Sequence, residues 1–200
     1  LLCAAMGLRR DQEEAIQAVH RHYLLAVGVY ASGPMLRDYH TAQVASRSLL
    51  KGTRHATRKD ELAFPRAQLS TILSTRDHLQ EVRYRIAVQA GQDAPYSLDV
   101  LRQALLTPVF VPYLGRKSCP LEAPMAPCLI EVDDVISALS GYPYAAEVSS
   151  SRPTKLTWCD GMTPGIESSL TIRQRDRLIH RGAWQYGERT QHVAMLPREV

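Results

Sequence analysis

One stretch of the sequence decides the fold, and it reads Val82-Arg83-Tyr84-Arg85-Ile86-Ala87-Val88-Gln89. Its even-numbered positions are all apolar, whereas its odd-numbered positions include two arginines. Side chains alternate in this way between the two faces of a β-strand. We therefore predict a strand that has one apolar face and one partly basic face.

Helices and strands are predicted on both sides of this strand. Residues 11–22 begin with the capping pattern Asp11-Gln12-Glu13-Glu14 and then place apolar side chains at helical spacing, which predicts an amphipathic helix. A strand is expected over 24–31, because it ends at the breaker sequence Ser32-Gly33-Pro34. After the alternating stretch, Ser97 is placed to cap a helix that stops before Pro108.

Between the two predicted strands lies a long excursion, residues 36–75, in which apolar residues are sparse. Cationic side chains are spread through it at Arg37, Arg47, Lys51, Arg54, Arg58, Lys59 and Arg66. A segment of this length without its own core is usually functional or disordered. The order helix, strand, excursion, strand, helix matches a ferredoxin-like βαββαβ unit without its first strand, and the excursion would be inserted in the central hairpin.

These elements predict an α+β fold in two parts. Residues 1–110 form the ferredoxin-like part, with the insertion at about 36–79. Residues 111–200 form a glycine-containing loop and a small β-rich module, with strand-like pieces at 144–149 and 155–158. The chain opens on residues 1–7 as if on the end of an apolar helix closed by glycine, so we expect a preceding segment that carries the first strand.

The composition indicates one globular unit with a modest positive charge. Among 200 residues, 24 Lys and Arg stand against 20 Asp and Glu, so the clustering of cations matters more than their net excess of +4. The four cysteines lack metal-ligand spacing and no secretory leader is apparent, so we expect reduced thiols in a cytoplasmic protein. No apolar run approaches the roughly 20 residues that cross a bilayer, so no membrane contact is expected.

Catalytic patterns are not apparent. The sequence contains no G-x-S-x-G or H-E-x-x-H motif and no paired-carboxylate pattern. We therefore expect no catalytic residue, no metal and no cofactor. A metal-free ribonuclease needs only a His, Tyr or Lys near the scissile phosphate, so the missing motifs are weak evidence against that activity.

The most informative short stretch reads Pro112-Tyr113-Leu114-Gly115-Arg116-Lys117-Ser118-Cys119-Pro120-Leu121. Gly115 lets the backbone turn, and Arg116, Lys117 and Ser118 then supply two cations and a hydroxyl. This combination suits a loop that grips a phosphate, although the spacing is not that of a P-loop. The alternative is a solvated turn between prolines.

A second cluster, Leu36-Arg37-Asp38-Tyr39-His40-Thr41, lies at the root of the excursion. Arg37 and His40 could contact phosphate and Tyr39 could stack on a base. The alternative is a surface arginine paired with Asp38. The cations that follow, Arg47, Lys51 and Arg54 among them, suit a flexible arm that contacts a nucleic-acid backbone, although a charge-rich loop is often only solvated.

A third cluster contains Arg173, Arg175, Arg177, His180 and Arg181, followed by Trp184, Tyr186 and Arg189. Arginines beside aromatic residues fit base stacking and phosphate contact. Trp184 and Tyr186, two residues apart, could equally belong to the buried face of a last strand. We favour a core position for the two aromatics and partial exposure for the arginines.

The first two clusters, in this order around a ferredoxin-like remnant, closely resemble the two signatures of the CasD family, the Cas-five subunits of type I-E CRISPR Cascade complexes. The resemblance implies an RRM-like, RAMP-type palm from which residues 37–79 project as a thumb. It also implies a set of RNA-binding residues, namely Arg37, Tyr39, His40, Arg47, Lys51, Arg54, Arg76, Gly115, Arg116, Lys117 and Ser118.

The same resemblance implies a function. The chain would be a non-catalytic subunit that caps the 5′ handle of the crRNA, while base pairing by the RNA finds the target. Its partners would be the crRNA, the CasA large subunit and the CasC backbone subunits, with target DNA reached only through the complex.

Two other functions stay open on the sequence. In related I-C systems the homologous subunit is a metal-independent endoribonuclease that processes precursor crRNA, and this reading would implicate Tyr39, His40 and Lys117. A scaffold that contacts only protein, with an incidental basic surface, is the third possibility.

Overall fold

The computed structural model of the chain describes residues 1–143 and 152–197. The chain divides into two compact units. The larger unit comprises Leu1–Ala31 and Arg83–Val200, and the hairpin unit comprises Ser32–Val82. The hairpin unit is therefore an insertion in the larger unit, and it spans the stretch where the sequence predicted an excursion.

The larger unit is built on one antiparallel sheet of five strands. Its strands are β1 (Tyr23–Ala31), β4 (Arg83–Ala90), β5 (Lys155–Cys159), β6 (Leu170–His180) and β7 (Gln185–Met195), while the hairpin unit contains β2 (Met35–Ala45) and β3 (Leu69–Leu79). The order in the sheet is β4-β1-β5-β7-β6. Strands from both ends of the sequence therefore meet at its centre, where β1 pairs with β5.

The helices of the larger unit are α1 (Leu2–Ala5), α2 (Glu13–His22), α5 (Leu98–Leu106) and α6 (Val135–Ser140), and those of the hairpin unit are α3 (Arg47–Leu50) and α4 (Arg58–Glu61). Two core clusters hold the larger unit together. In one, Val135 and Leu139 of α6 pack with Leu156 and Trp158 of the sheet. In the other, Val19 of α2, Leu101 of α5 and Tyr23 are buried together.

The hairpin unit consists of two long strands joined by short helices. All eleven residues of β2 pair in register with β3, from Met35 opposite Leu79 to Ala45 opposite Leu69. Strands of this length extend over about 35 Å. The sequence pattern predicts no regular structure here. Two paired strands that no further layer covers need no buried apolar face, so apolar and polar residues do not alternate along them.

Several local predictions are confirmed. The predicted amphipathic helix is α2, the predicted strands are β1, β4 and β5, and Ser97 caps α5 through its side-chain oxygen. The predicted α+β class is therefore correct. The Asp11 cap is wrong, because the helix begins at Glu13 and its N-cap, Gln12, makes no side-chain capping bond.

Two longer-range expectations need correction. Strands β5, β6 and β7 do not form a sheet of their own after residue 111, because β5 hydrogen-bonds directly to β1. The predicted faces of β4 are reversed at its centre, where Arg85 is buried and Ile86 is exposed. The strand-like piece predicted at 144–149 lies outside the described residues.

Candidate nucleic-acid interface

The strand register sorts the predicted residues of the hairpin unit onto two faces. Paired residues of antiparallel strands share a face, and neighbours along a strand point to opposite faces. Arg37 lies opposite Asp77 and Tyr39 opposite Thr75, so they share one face. Asp38, His40 and Arg76 occupy the other face, since Asp38 lies opposite Arg76.

Arg37 is engaged in a bidentate ion pair. Its Nε lies 2.7 Å from Oδ1 of Asp77 and its Nη2 lies 3.0 Å from Oδ2. The hydrogen bond and the charge of Asp77 raise the pKa of Arg37, and the hydrogen bond from Arg37 lowers the pKa of Asp77. A phosphate would therefore have to displace Asp77, which is 40 residues from Arg37 in the sequence. The partner of Arg37 is thus Asp77 and not Asp38, the partner considered from the sequence.

His40 is also paired, and its partner is Asp38. The distance from His40 Nε2 to Asp38 Oδ2 is 2.5 Å. Both side chains are partly exposed. The Asp38 carboxylate therefore orients the ring of His40 and does not neutralise Arg37.

Tyr39 is the hairpin side chain best placed for stacking. It is 59% exposed, and Leu73, nearby on the same face, is equally exposed. A tyrosine ring open to solvent on a strand offers a flat surface to an unpaired base.

The cations beyond the strands lie on ordered turns. Ser46 caps α3, and Thr57 and Asp60 form a capping box at α4. Arg47, Lys51 and Arg54 are exposed, and none of them has an ion-pair partner within the described ranges. They therefore add positive charge that no described carboxylate neutralises.

The loop around Gly115 forms a tight turn in the larger unit. Leu114 N–H donates to the Cys119 carbonyl at 2.8 Å, and Cys119 N–H donates to the Arg116 carbonyl at 2.9 Å. Gly115 has a φ of 79°, the left-handed conformation that glycine adopts most readily. The turn leaves Arg116, Lys117 and Ser118 exposed, with no ion pair at either cation in the described part of the chain.

The third cluster differs from the prediction. Trp184 is 61% exposed, so its assignment to the core is wrong. Tyr186 is half-buried, and the arginines of β6 are exposed as predicted. The sequence signal for an exposed Trp184 was its position two residues after Gly182, in the turn that joins β6 and β7.

The described residues meet neither the requirements of a metal site nor those of a membrane-spanning helix. Across residues 1–143 and 152–197, no three side chains of His, Cys, Asp or Glu come close enough together to hold a metal ion. No helix in these ranges has the length and apolar character needed to span a bilayer.

Comparison with known proteins assigns the family. Residues 1–192 match the sequence model of the family described as CRISPR-associated protein (Cas_Cas5). The chain is 29% identical over 163 residues to the CRISPR system Cascade subunit CasD of Escherichia coli strain K12, an alignment covering 76% of this chain and 66% of CasD. The chain thus spans just under two thirds of the length of that relative.

Two solved structures share the fold at 21% identity. One, described as a CRISPR RNA-guided surveillance complex, matches with a TM-score of 0.56 over 97% of this chain and 74% of the other. The second, described as the crystal structure of a Cas protein, matches with a TM-score of 0.58 over 98% and 77%. Because the family match extends over nearly the whole chain, this protein belongs to the CRISPR-associated Cas_Cas5 family as a CasD-like member.

Proposed function

We propose that this chain is a non-catalytic RNA-binding subunit of a Cascade-type surveillance complex, in which it caps the 5′ handle of the crRNA. Family membership supports this role, since the E. coli relative is itself described as a Cascade subunit. In such complexes protein holds the backbone and ends of the guide while base pairing selects the target.

The observation that carries the proposal is the loop at Gly115. Two cations and a hydroxyl are exposed on a turn whose backbone is fixed by two hydrogen bonds. Phosphate oxygens accept hydrogen bonds from such groups, and a fixed turn loses little conformational entropy on binding.

We further propose that the hairpin unit acts as a thumb and that β1, β4, α2 and α5 belong to an RRM-like palm. Exposed cations in 46–54 would follow the RNA backbone, and Tyr39 would stack on a base. Arg37, His40 and Arg76 would contact phosphates from the two faces of the hairpin, with Arg37 exchanging Asp77 for a phosphate.

The proposed partners are the CasA large subunit and the first CasC backbone subunit, with target DNA reached through the complex in the cytoplasm. Exposed apolar side chains on the hairpin unit support a protein contact, and they are Met35, Leu36, Ile72, Leu73 and Leu79. Apolar residues at this density on a two-stranded hairpin suit burial against a partner.

A charge-removal experiment tests the handle-binding role. The double variant Arg116→Ala with Lys117→Ala should weaken binding of a crRNA with its 5′ handle by about 10- to 30-fold near 0.1 M salt, because two phosphate contacts are lost. The slope of log K against log salt should fall by about 1.4, the contribution of two phosphates on a single strand. Filter binding or fluorescence anisotropy at several salt concentrations measures both quantities.

The matched control is Arg9→Ala with Arg10→Ala. It removes an equal amount of positive charge, two units, from an exposed segment that has no aromatic residue beside it in the sequence. An equal loss in both variants would mean that only net charge matters. Unchanged RNA binding in the Arg116 and Lys117 variant, together with normal assembly, would favour the protein-only scaffold.

The alternative function is a metal-independent endoribonuclease. Tyr39 and His40 are adjacent on β2 and so point to opposite faces of the hairpin, which disfavours their acting on one phosphate. We expect labelled precursor crRNA to stay intact at high protein excess without metal. Cleavage that disappears on His40→Ala would overturn the non-catalytic role.

A further inference from the structure

The turn between β6 and β7 carries an exposed indole stacked on a guanidinium. The guanidinium carbon of Arg181 lies 4.3 Å from the centre of the Trp184 ring. Arg181 also donates from Nη1 to the hydroxyl of Tyr186 at 2.8 Å. Because Trp184 is 61% exposed, the guanidinium covers part of the ring and much of the remaining surface is open to solvent.

Trp184 is held in a strained backbone conformation. Its φ of 54° lies in the left-handed region, where a bulky aromatic residue is a genuine outlier. Such strain persists when the surrounding contacts impose it, and it concentrates at sites that bind or react. The strain at Trp184 therefore favours a binding role for the ring that the turn exposes.

Contacts with a distant helix hold this turn in place. The Glu13 carboxylate of α2 accepts from the backbone N–H of Arg181 at 2.8 Å and of Gly182 at 3.3 Å. These bonds, with that from Gln17, lower the pKa of Glu13, so it stays ionised. Gln17 also donates to the Ile179 carbonyl at 2.6 Å, so one face of α2 holds the end of β6 and the first residues of the turn.

Cationic side chains lie next to the exposed ring along β6. Arg175 lines an open concavity of about 520 Å³ together with Ile179, Trp184, Gln185 and Tyr186. Arg189 is paired with Asp176, and Arg173 approaches Glu188 at 3.8 Å. Arg175 and Arg177 are exposed and have no ion-pair partner in the described ranges, so they are available to an anion.

This combination matches an unpaired nucleotide better than a peptide. A base has a flat π-face of the right size for an indole, and the phosphates on either side of it carry the negative charge that two arginines would neutralise. A duplex would not fit, because its bases are already stacked on one another. The concavity is shallow and open, as expected for a strand passing over a surface.

We propose that this turn is a binding surface for single-stranded nucleic acid, in which a base stacks on the open face of Trp184 and neighbouring phosphates bind Arg175 and Arg177. Arg181 supports the ring from its other side. None of these residues belongs to the Gly115 loop or to the hairpin unit, so the proposal does not rest on the handle-binding role.

Tryptophan fluorescence gives a direct test on the full chain. The sequence has two tryptophans, and Trp158 is buried against His192, so quenching by a bound base reports on Trp184. Titration with a ten-nucleotide oligo(A), or oligo(dA) in a parallel arm, should give saturable quenching. Similar affinities for the two would mean that the ribose hydroxyl is not read, and a large preference for oligo(A) would identify RNA as the ligand.

Substitutions at the ring separate stacking from structure. Trp184→Phe should keep most of the affinity, measured by anisotropy of labelled oligonucleotide, whereas Trp184→Gly should lower it at least about fivefold because the stacking ring is lost. Glycine also removes the backbone strain, so this variant should fold at least as stably as the parent chain. Arg175→Ala with Arg177→Ala should reduce the salt slope by about 1.4.

The control is again Arg9→Ala with Arg10→Ala, which should change affinity less than the Arg175 and Arg177 variant. The Arg116 and Lys117 variant should retain quenching of Trp184, which separates this surface from the handle-binding loop. An unchanged affinity in Trp184→Gly would overturn the proposal. Protection of Trp184 by a protein subunit without any quenching by oligonucleotide would overturn it in favour of a protein contact.

Discussion

Arg85 shows how one side chain can join two layers of the larger unit. It is only 9% exposed, and its guanidinium carbon lies 4.2 Å from the ring centre of Tyr30. Its Nη1 donates to the Leu139 carbonyl at 2.7 Å, near the end of α6, and to the Tyr30 hydroxyl at 3.2 Å. An arginine stays charged when buried, so these contacts offset a large desolvation cost.

Truncation of Arg85 should destabilise the larger unit. Arg85→Ala leaves a cavity and removes two hydrogen bonds, so we expect a loss of about 2–5 kcal/mol in the free energy of unfolding, measured with urea. Arg85→Met keeps most of the volume without the charge and should cost less than Arg85→Ala. Arg10→Ala, an exposed control, should change stability by less than about 0.5 kcal/mol. A loss that small in Arg85→Ala would show that the buried guanidinium does not stabilise the larger unit.

At the scale of the element, the β2–β3 hairpin depends on glycine at its root. Gly33 has a φ of 57°, and a Cβ atom there would lie 1.6 Å from the Gln80 carbonyl oxygen. The neighbouring Pro34 carbonyl accepts from Gln80 N–H at 3.0 Å, which closes the hairpin. A side chain at Gly33 would therefore force the two strands apart where they begin to pair.

Gly33 and Gly52 form a matched pair for testing this dependence. Gly52 also has a positive φ, of 80°, but a Cβ there would meet nothing within 4 Å. Gly52→Ala should cost only the backbone penalty, about 1–2 kcal/mol, whereas Gly33→Ala should cost clearly more. Hydrogen exchange of the β2 and β3 amides should rise more in Gly33→Ala. Equal exchange in the two variants would show that the strands tolerate the clash.

At the scale of the whole molecule, each unit contains a carboxylate whose ionised form makes a specific contact. Asp77 pairs with Arg37 in the hairpin unit, and Glu13 holds the β6–β7 turn in the larger unit. Hydrogen bonds, from Arg37 to Asp77 and from the Arg181 backbone to Glu13, lower both pKa values. Both contacts therefore require the charged carboxylate.

Acid should weaken both contacts. A carboxyl whose pKa is lower in the folded state contributes stability above its unfolded pKa of about 4, and loses it as pH falls through the folded value. We expect stability to decline below about pH 4.5, with a smaller decline in Asp77→Asn and Glu13→Gln variants. Urea titrations between pH 3 and 7 measure this. A variant that follows the parent profile would show that its carboxylate contributes nothing.

Patterns between near neighbours in the sequence determined much of the fold and the family. A period of two identified the strand β4, a period of 3.6 identified the helix α2, and the breaker sequence at 32–34 marked the end of β1. Ser97 marked the start of α5. Gly115 adopts the positive φ that a glycine-centred turn requires. These features depend on residues a few positions apart, and such residues interact whatever the rest of the chain does.

Tertiary structure alone decided the partners of distant residues. Arg37 pairs with Asp77 across the hairpin, Arg85 turns inward because Tyr30 and Leu139 receive it, and Trp184 turns outward because Glu13 holds its turn. The pairing of β5 with β1 joins residues more than 120 positions apart. Periodicity identifies which side chains share a face of a helix or strand. Whether that face is buried depends on which elements pack against it, and the packing of elements is the one that minimises the free energy of the whole chain.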